Sequence, residues 1–116
     1  MIDDVFCKII AGELPATFVH RDDEVAVIRD IHPQAPVHLL VFPVKHYDSI
    51  GDFAEHDGHV LGTMVRVAHK VAVEQGLANG YRIILNEGAD GGKLVPHLHL
   101  HLLGGRRLGP KIVSSE

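Results

Sequence analysis

Residues 97–102 read His97-Leu98-His99-Leu100-His101-Leu102, imidazole and leucine in strict alternation. A strand turns successive side chains to opposite faces, so this pattern puts three imidazoles on one face and three leucines on the other. The leucine face wants a core. The imidazole face is open to three readings: a solvated surface, a metal site, or a reaction centre. Like charges oppose one another, so crowded imidazoles lose proton affinity and at least one ring tends to stay neutral near pH 7. A neutral imidazole is a metal ligand or a nucleophile. The flanks bear on the choice, because Asn86, Gly88, Gly91 and Gly92 precede the strand and Gly104-Gly105 follow it. Glycine-rich backbone suits phosphate, whereas a metal site brings carboxylates, so the flanks favour phosphate over zinc.

Outward from that strand, the chain divides into short elements. Tyr81–Leu85 predicts a strand before the glycine loop. Between Glu55 and Gln75 the residues Val60, Leu61, Met64, Val67, Ala68, Val71 and Ala72 recur at three and four, which predicts a long amphipathic helix closed near Gly76. Val37–Phe42 predicts a strand, and Thr17–His20 with Glu24–Arg29 predict two more around the polar turn Arg21-Asp22-Asp23. A short helix over Val5–Ala11 carries Phe6, Ile9 and Ile10 on one side and stops at Gly12. Strands with one short and one long helix make an α+β domain. The whole chain, 1–116, reads as one domain with a core of about 5–105 and a tail, 106–116, that needs a partner surface to order it.

Composition excludes several classes. The chain has 116 residues, 46% hydrophobic and 22% charged, which is unlike a disordered chain. Its formal charge of −4 argues against a surface that coats nucleic acid. No apolar run is long enough to span a membrane, and the acidic start Met1-Ile2-Asp3-Asp4 lacks the basic region of a signal peptide. The single cysteine, Cys7, rules out an internal disulfide framework and fits a reducing, cytoplasmic setting. Histidine is the surplus residue, ten in all.

His97-Leu98-His99-Leu100-His101-Leu102-Leu103 resembles the signature of the histidine triad (HIT) family of nucleotide hydrolases and transferases. Asn86-Glu87-Gly88-Ala89-Asp90-Gly91-Gly92, Asp30-Ile31-His32-Pro33-Gln34-Ala35-Pro36-Val37-His38 and Pro43-Val44-Lys45-His46 resemble its histidine triad nucleotide-binding (Hint) branch. The resemblance covers Val5 to about Gly105. It implies an antiparallel sheet of about five strands and a homodimer joined through sheet and helix. It also implies hydrolysis of purine nucleoside 5′-phosphoramidates or acyl-adenylates to the nucleoside monophosphate. His99 matches the nucleophile that forms a nucleotidyl-histidine. His97 matches the residue whose carbonyl region orients that ring, and His101 the histidine that contacts phosphate and assists the leaving group. His46 matches a further histidine that completes the relay. Asn86 and Gly92 lie on the phosphate side, Asp30 matches the acid that accepts the ribose hydroxyls, and Ile31, Phe6, Ile9 and Ile28 form the base slot. No cofactor is implied for the nucleophilic step. The implied partners are a purine nucleotide and a second copy of the chain, with neither nucleic acid nor membrane.

Three departures matter. Leu94 stands where many Hint proteins have a serine reaching the phosphate or leaving group, and leucine donates no hydrogen bond. Pro96 replaces an aromatic residue, and the tail has no tryptophan. Some bacterial members hold structural zinc with a Cys-x-x-Cys pair and two histidines; here Asp4 stands at the first cysteine, so no zinc at Cys7, His46 and His97 is expected. His20, His38, His56, His59 and His69 receive no role, and His32 falls near the pocket rim. Three rival readings remain: a nucleotide-binding protein with slow turnover, a dinucleoside polyphosphate hydrolase, and a zinc hydrolase.

Overall fold

The computed structural model describes residues 4–110, 112 and 113. Met1–Asp3, Lys111 and Ser114–Glu116 lie outside the described residues, and with them part of the expected tail and of the acidic start.

Helix α1 (Val5–Ile10) precedes the strands β1 (Phe18–Arg21), β2 (Val25–Arg29) and β3 (Val37–Pro43); helix α2 (His59–Glu74) and the strands β4 (Tyr81–Leu85) and β5 (Leu100–Gly104) follow. The five strands form one antiparallel sheet in the order β1-β2-β3-β5-β4. Alternation decides which side chain goes where. Val25, Val27, Leu39, Val41, Leu98, Leu100 and Leu102 pack on one face against Val60, Met64, Val67, Ala68, Val71 and Ala72 of α2. Ala26, Ile28 and Phe42 point the other way, against Phe6 and Ile9 of α1, with Leu40 packed beside them. Both faces of the central strands are covered, so β2 runs as Val25-Ala26-Val27-Ile28, buried at every position. This second, smaller core under α1 is the one that matters for the site.

Local chemistry fixes the helix ends. Asp4 caps α1, its Oδ1 accepting from Cys7 N at 2.7 Å. At the far end of α2, Gly76 takes φ +77 while Gly76 N and Leu77 N donate to Val73 O and Ala72 O. A side chain at that position would be strained, which is why glycine ends this helix.

Two boundaries differ from the sequence reading by more than one residue. The periodic stretch expected from Glu55 divides: Glu55–Asp57 is a 3-10 turn, and α2 starts only at His59. The Asp57 carboxylate accepts from Ala54 N at 3.3 Å and closes that turn, so apolar spacing carried the expectation past a real break. The last strand begins at Leu100 instead of Leu98. His97 N donates to Val95 O and Leu98 N donates to Tyr47 O at 2.7 Å, which takes this backbone out of the sheet ladder. The face alternation survives the break, since Leu98 still joins the α2 core.

Candidate active site

The three imidazoles of 97–101 come together on the α1 face. His99 lies with its ring 5.2 Å from that of His101 and 5.0 Å from Phe6, and His97 sits 5.3 Å from Phe6. His97 is fully buried and His99 nearly so.

Hydrogen bonds assign each ring its tautomer. A carbonyl only accepts, so His99 Nδ1, 2.7 Å from His97 O, carries the proton and leaves the lone pair on Nε2. Burial holds His99 below its ordinary value; the positive charge of His97 and Lys93 adds to that, and the bond to His97 O opposes it. His99 is therefore a neutral imidazole with a free Nε2 at neutral pH.

His101 is held by a residue to which the sequence reading gave no role. Gln34 N donates to His38 Nδ1 at 3.0 Å, so His38 carries its proton on Nε2, which lies 2.9 Å from His101 Nδ1 and 3.4 Å from Asp30 Oδ2. His38 thus donates to His101, whose own proton is left on Nε2. The register explains the contact: Leu40 is opposite His101 and His38 opposite Leu103, so the two imidazoles are diagonal neighbours on one face. Burial, then the charges of His99 and His38, lower the His101 value, with Asp30 opposing.

His46, expected to complete this relay, has its Nε2 2.8 Å from Asp48 Oδ1 and its Nδ1 2.9 Å from Asp4 Oδ2. It touches the triad only through His97, ring to ring at 4.8 Å. The sequence signal for His38 was present: it shares parity along β3 with Leu40 and Phe42, both of which face α1. Its partner could not be seen without the strand pairing.

Beside the imidazoles opens an apolar groove of about 760 Å³. Phe6, Ile9, Ile28, Asp30 and Ile31 all line it, together with Leu40 and Val95, which sequence reasoning did not single out. Asp30 Oδ1 accepts from His32 N at 2.8 Å, which holds the carboxyl at the groove. Ile31 is largely exposed there and forms an open wall. Asn86 donates through Nδ2 to Gly91 O at 2.6 Å and pins the glycine loop. A Cβ on Gly91 would fall 2.1 Å from Glu87 O, so the loop can close only on glycine. Gly92 takes φ +82 within the same loop. Leu94 is 94% exposed and does not line the groove.

A second cluster lies behind the triad. Asp4, Cys7, His46 and His97 turn one donor atom each toward a common point. Cys7 Sγ is 3.4 Å from His46 Nδ1 and 3.6 Å from His97 Nδ1, and Asp4 Oδ2 is 3.1 Å from His97 Nδ1. Burial would raise the Asp4 carboxyl, but the Cys7 amide and the charge of His97 outweigh it and hold it below its ordinary value.

A sheet of this order, with an imidazole row beside an acid-rimmed apolar groove, defines a class: a histidine-cluster protein of the α+β type. The HIT domain family model matches residues 11–108, and the chain belongs to that family. It is 44% identical over 111 residues to the purine nucleoside phosphoramidase of Escherichia coli (strain K12), covering 95% of this chain and 93% of that protein. Among solved structures, the HIT family hydrolase of Clostridium thermocellum superposes with a TM-score of 0.92 at 45% identity, covering 97% of this chain and 99% of that one. A histidine triad protein from Clostridium difficile gives 0.90 at 43% identity, over 96% and 97% of the two chains.

Proposed function

We propose that this protein hydrolyses purine nucleoside 5′-phosphoramidates and related acyl-adenylates through a nucleotidyl-histidine at His99. The observation that carries the reading is the bond from His99 Nδ1–H to His97 O, which leaves Nε2 as a lone pair on a buried, neutral ring. Nε2 attacks the α-phosphorus, the phosphorus–nitrogen or phosphorus–oxygen bond to the leaving group breaks, and the nucleotide is held covalently. His101 Nε2–H donates a hydrogen bond to the leaving atom, which takes up a proton from solvent as it departs, while His38 keeps His101 in the required tautomer. Water then attacks the phosphorus, the phosphorus–Nε2 bond to His99 breaks, and the nucleoside monophosphate leaves as the water's proton passes to solvent.

Phe6, Ile9, Ile28 and Ile31 hold the base, Asp30 accepts the ribose hydroxyls, and Asn86 and Gly92 lie on the phosphate side. An apolar slot with few donors discriminates weakly among bases, so purines are preferred without strict identity. Leu94 offers no donor to the leaving group, so slow turnover of amide-linked substrates is expected.

The working unit is taken as one domain, 5–105, in a homodimer, with the tail 106–116 ordered against the second copy. The open edge of β4 and the exposed Val65 and Val73 of α2 support that pairing. No described helix is long and apolar enough to cross a membrane, and we place the reaction in the cytoplasm.

The test is single turnover with adenosine 5′-phosphoramidate, a lysyl-adenylate and a dinucleoside polyphosphate, for wild type and His99→Ala. Release of AMP from the first two, with a trapped covalent adduct absent in His99→Ala, is the expected result. Cleavage of the dinucleotide alone, or cleavage indifferent to His99, would overturn the reading.

A further inference from the structure

We propose that Lys93 is a phosphoryl-binding residue: its ammonium, held at the end of the glycine loop, meets a non-bridging oxygen of the nucleotide's α-phosphate beside His99. This deepens the hydrolase reading and rests on its placing of the α-phosphorus at His99 Nε2. An anion seated against a ring as deeply buried as His99 gives up much of its water, so it needs a cation or hydrogen-bond donors there. His99 and His101 are neutral at pH 7, and the Asp30 carboxylate at the groove carries the wrong sign.

Lys93 has the placement. It closes the loop that Asn86 opens, its backbone N donating to Gly88 O at 3.1 Å. Its side chain, directly after two glycines, is only 12% exposed. Lysine stays in water unless something holds it. Here Nζ donates to the carbonyl of Asp48. It also lies 3.8 Å from Glu87 Oε1, near enough for attraction and too far for a hydrogen bond. An ammonium has three N–H bonds. Among the described residues the Asp48 carbonyl takes one of them, and the others are unspent on a largely buried cation. Glu87 Oε1 is in matching need, since it is sealed from solvent and accepts no hydrogen bond among the described residues. A closed ion pair would satisfy both groups. The pair is instead held open, on a flexible four-carbon stem that lets the cation turn to another acceptor.

The direction of that turn follows from where the charge is felt. Burial first, then the charges of His97 and Lys93, hold His99 below its ordinary value. At His101, after burial, the charges that do so are those of His99 and His38. Lys93 therefore stands on the His99 side of the cluster, away from His101. A phosphoryl group approaching His99 Nε2 presents its non-bridging oxygens to that side. No proton moves in this contact. Lys93 supplies charge, and the hydrogen bond to the leaving atom stays with His101.

The rival is a simple clasp, in which Lys93 only ties the loop to the segment after β3 through Asp48 O. The two roles differ in sign. In a clasp, losing either end of the Glu87–Lys93 pair loosens the loop and weakens nucleotide binding. For a phosphoryl-binding cation, Glu87 competes with the nucleotide, so removing its charge frees Lys93 and strengthens binding.

The test is calorimetry with AMP and with adenosine on the full-length chain, the folding of each variant being followed by circular dichroism. Lys93→Met keeps the stem and removes the charge. It should weaken AMP binding by about tenfold or more and leave adenosine within about twofold of wild type. Glu87→Gln should tighten AMP binding by roughly threefold, and it decides the matter if Lys93→Met fails to fold. Lys70→Met, beside Glu74 on the exposed side of α2, should change neither ligand. Equal losses of AMP and adenosine in Lys93→Met, unchanged AMP affinity in that variant, or weaker AMP binding in Glu87→Gln would overturn the proposal. None of these measurements needs turnover. A chain that binds AMP through Lys93 yet cleaves no phosphoramidate fails only the hydrolase reading.

Discussion

At the scale of single residues, the division of labour among histidines follows from where each proton is held. His99 is readable from the strand alone, because its position in the alternation puts it between two other imidazoles. Its free nitrogen is not readable, since that depends on the His97 carbonyl turning back onto Nδ1. His99→Ala removes the proposed nucleophile, and we expect kcat for an adenosine phosphoramidate to fall by at least about 10³-fold. Binding of AMP, measured by calorimetry, should weaken far less, because groove and acid remain. His101 carries the pH dependence. Burial first, and the charges of His99 and His38 next, hold its value below the ordinary 6.5, so it is neutral at pH 7. Acid places a second proton on Nδ1, where His38 donates, and the relay is lost. The rate should therefore stay level through neutral pH and fall only below the ordinary histidine range. A kcat/KM profile between about pH 4.5 and 9 checks this, and an optimum in acid would contradict it. His38→Ala should lower kcat by about 10- to 100-fold and alter the acid limb of that profile, with little change in AMP affinity.

At the scale of elements, periodicity located nearly every strand and helix but not the points where tertiary partners redirect the chain. The β4 boundaries, Tyr81–Leu85, agree with the sequence pattern residue for residue. The start of β5 does not, because Leu98 N bonds to Tyr47 O, a partner fifty-one residues away in sequence that no local pattern encodes. The same limit hid His38, whose meaning lies in the β3–β5 register, and the contacts of His46 with Asp4 and Asp48. The groove was more legible: Phe6, Ile9, Ile28, Asp30 and Ile31 all reach it. Two element-level changes test the framework. Met64 is fully buried in the middle of α2, against β2, β3 and β5, and Met64→Ala should cost about 2–5 kcal/mol, read as a lower urea midpoint at unchanged slope. Gly91→Ala forces a Cβ against Glu87 O and opens the loop that Asn86 closes. It should weaken AMP binding by roughly tenfold while leaving the unfolding free energy from urea titration within about 0.5 kcal/mol, since the loop is exposed and outside both cores.

At the scale of the whole molecule, the sheet is unequally finished. β2, β3 and β5 have neighbours on both sides, whereas β4 ends the sheet with every residue only half-buried. A long, unpaired edge of Tyr81-Arg82-Ile83-Ile84-Leu85 invites another strand, and proteins that stay monomeric blunt such edges with charge or proline. This edge carries only Arg82, and the guanidinium of Arg82 is turned away to Gly109 O. The adjoining helix α2 exposes Val65 and Val73, at 44% and 63%. A second copy meeting the first across a two-fold axis at β4 would pair the open edge with itself and cover apolar helix surface in the same contact. Dimerisation by this route predicts a specific response. Replacing Val65 and Val73 together by lysine leaves the core under α2 untouched, yet sets like charges against each other across the axis. Sedimentation velocity should then show a dimer for the natural chain and a dissociating, folded species for the double variant, with salt partly restoring association. A natural chain that sediments as a monomer at micromolar concentration would remove β4 as the joint between copies, and with it the ordering role given to the second copy for the tail.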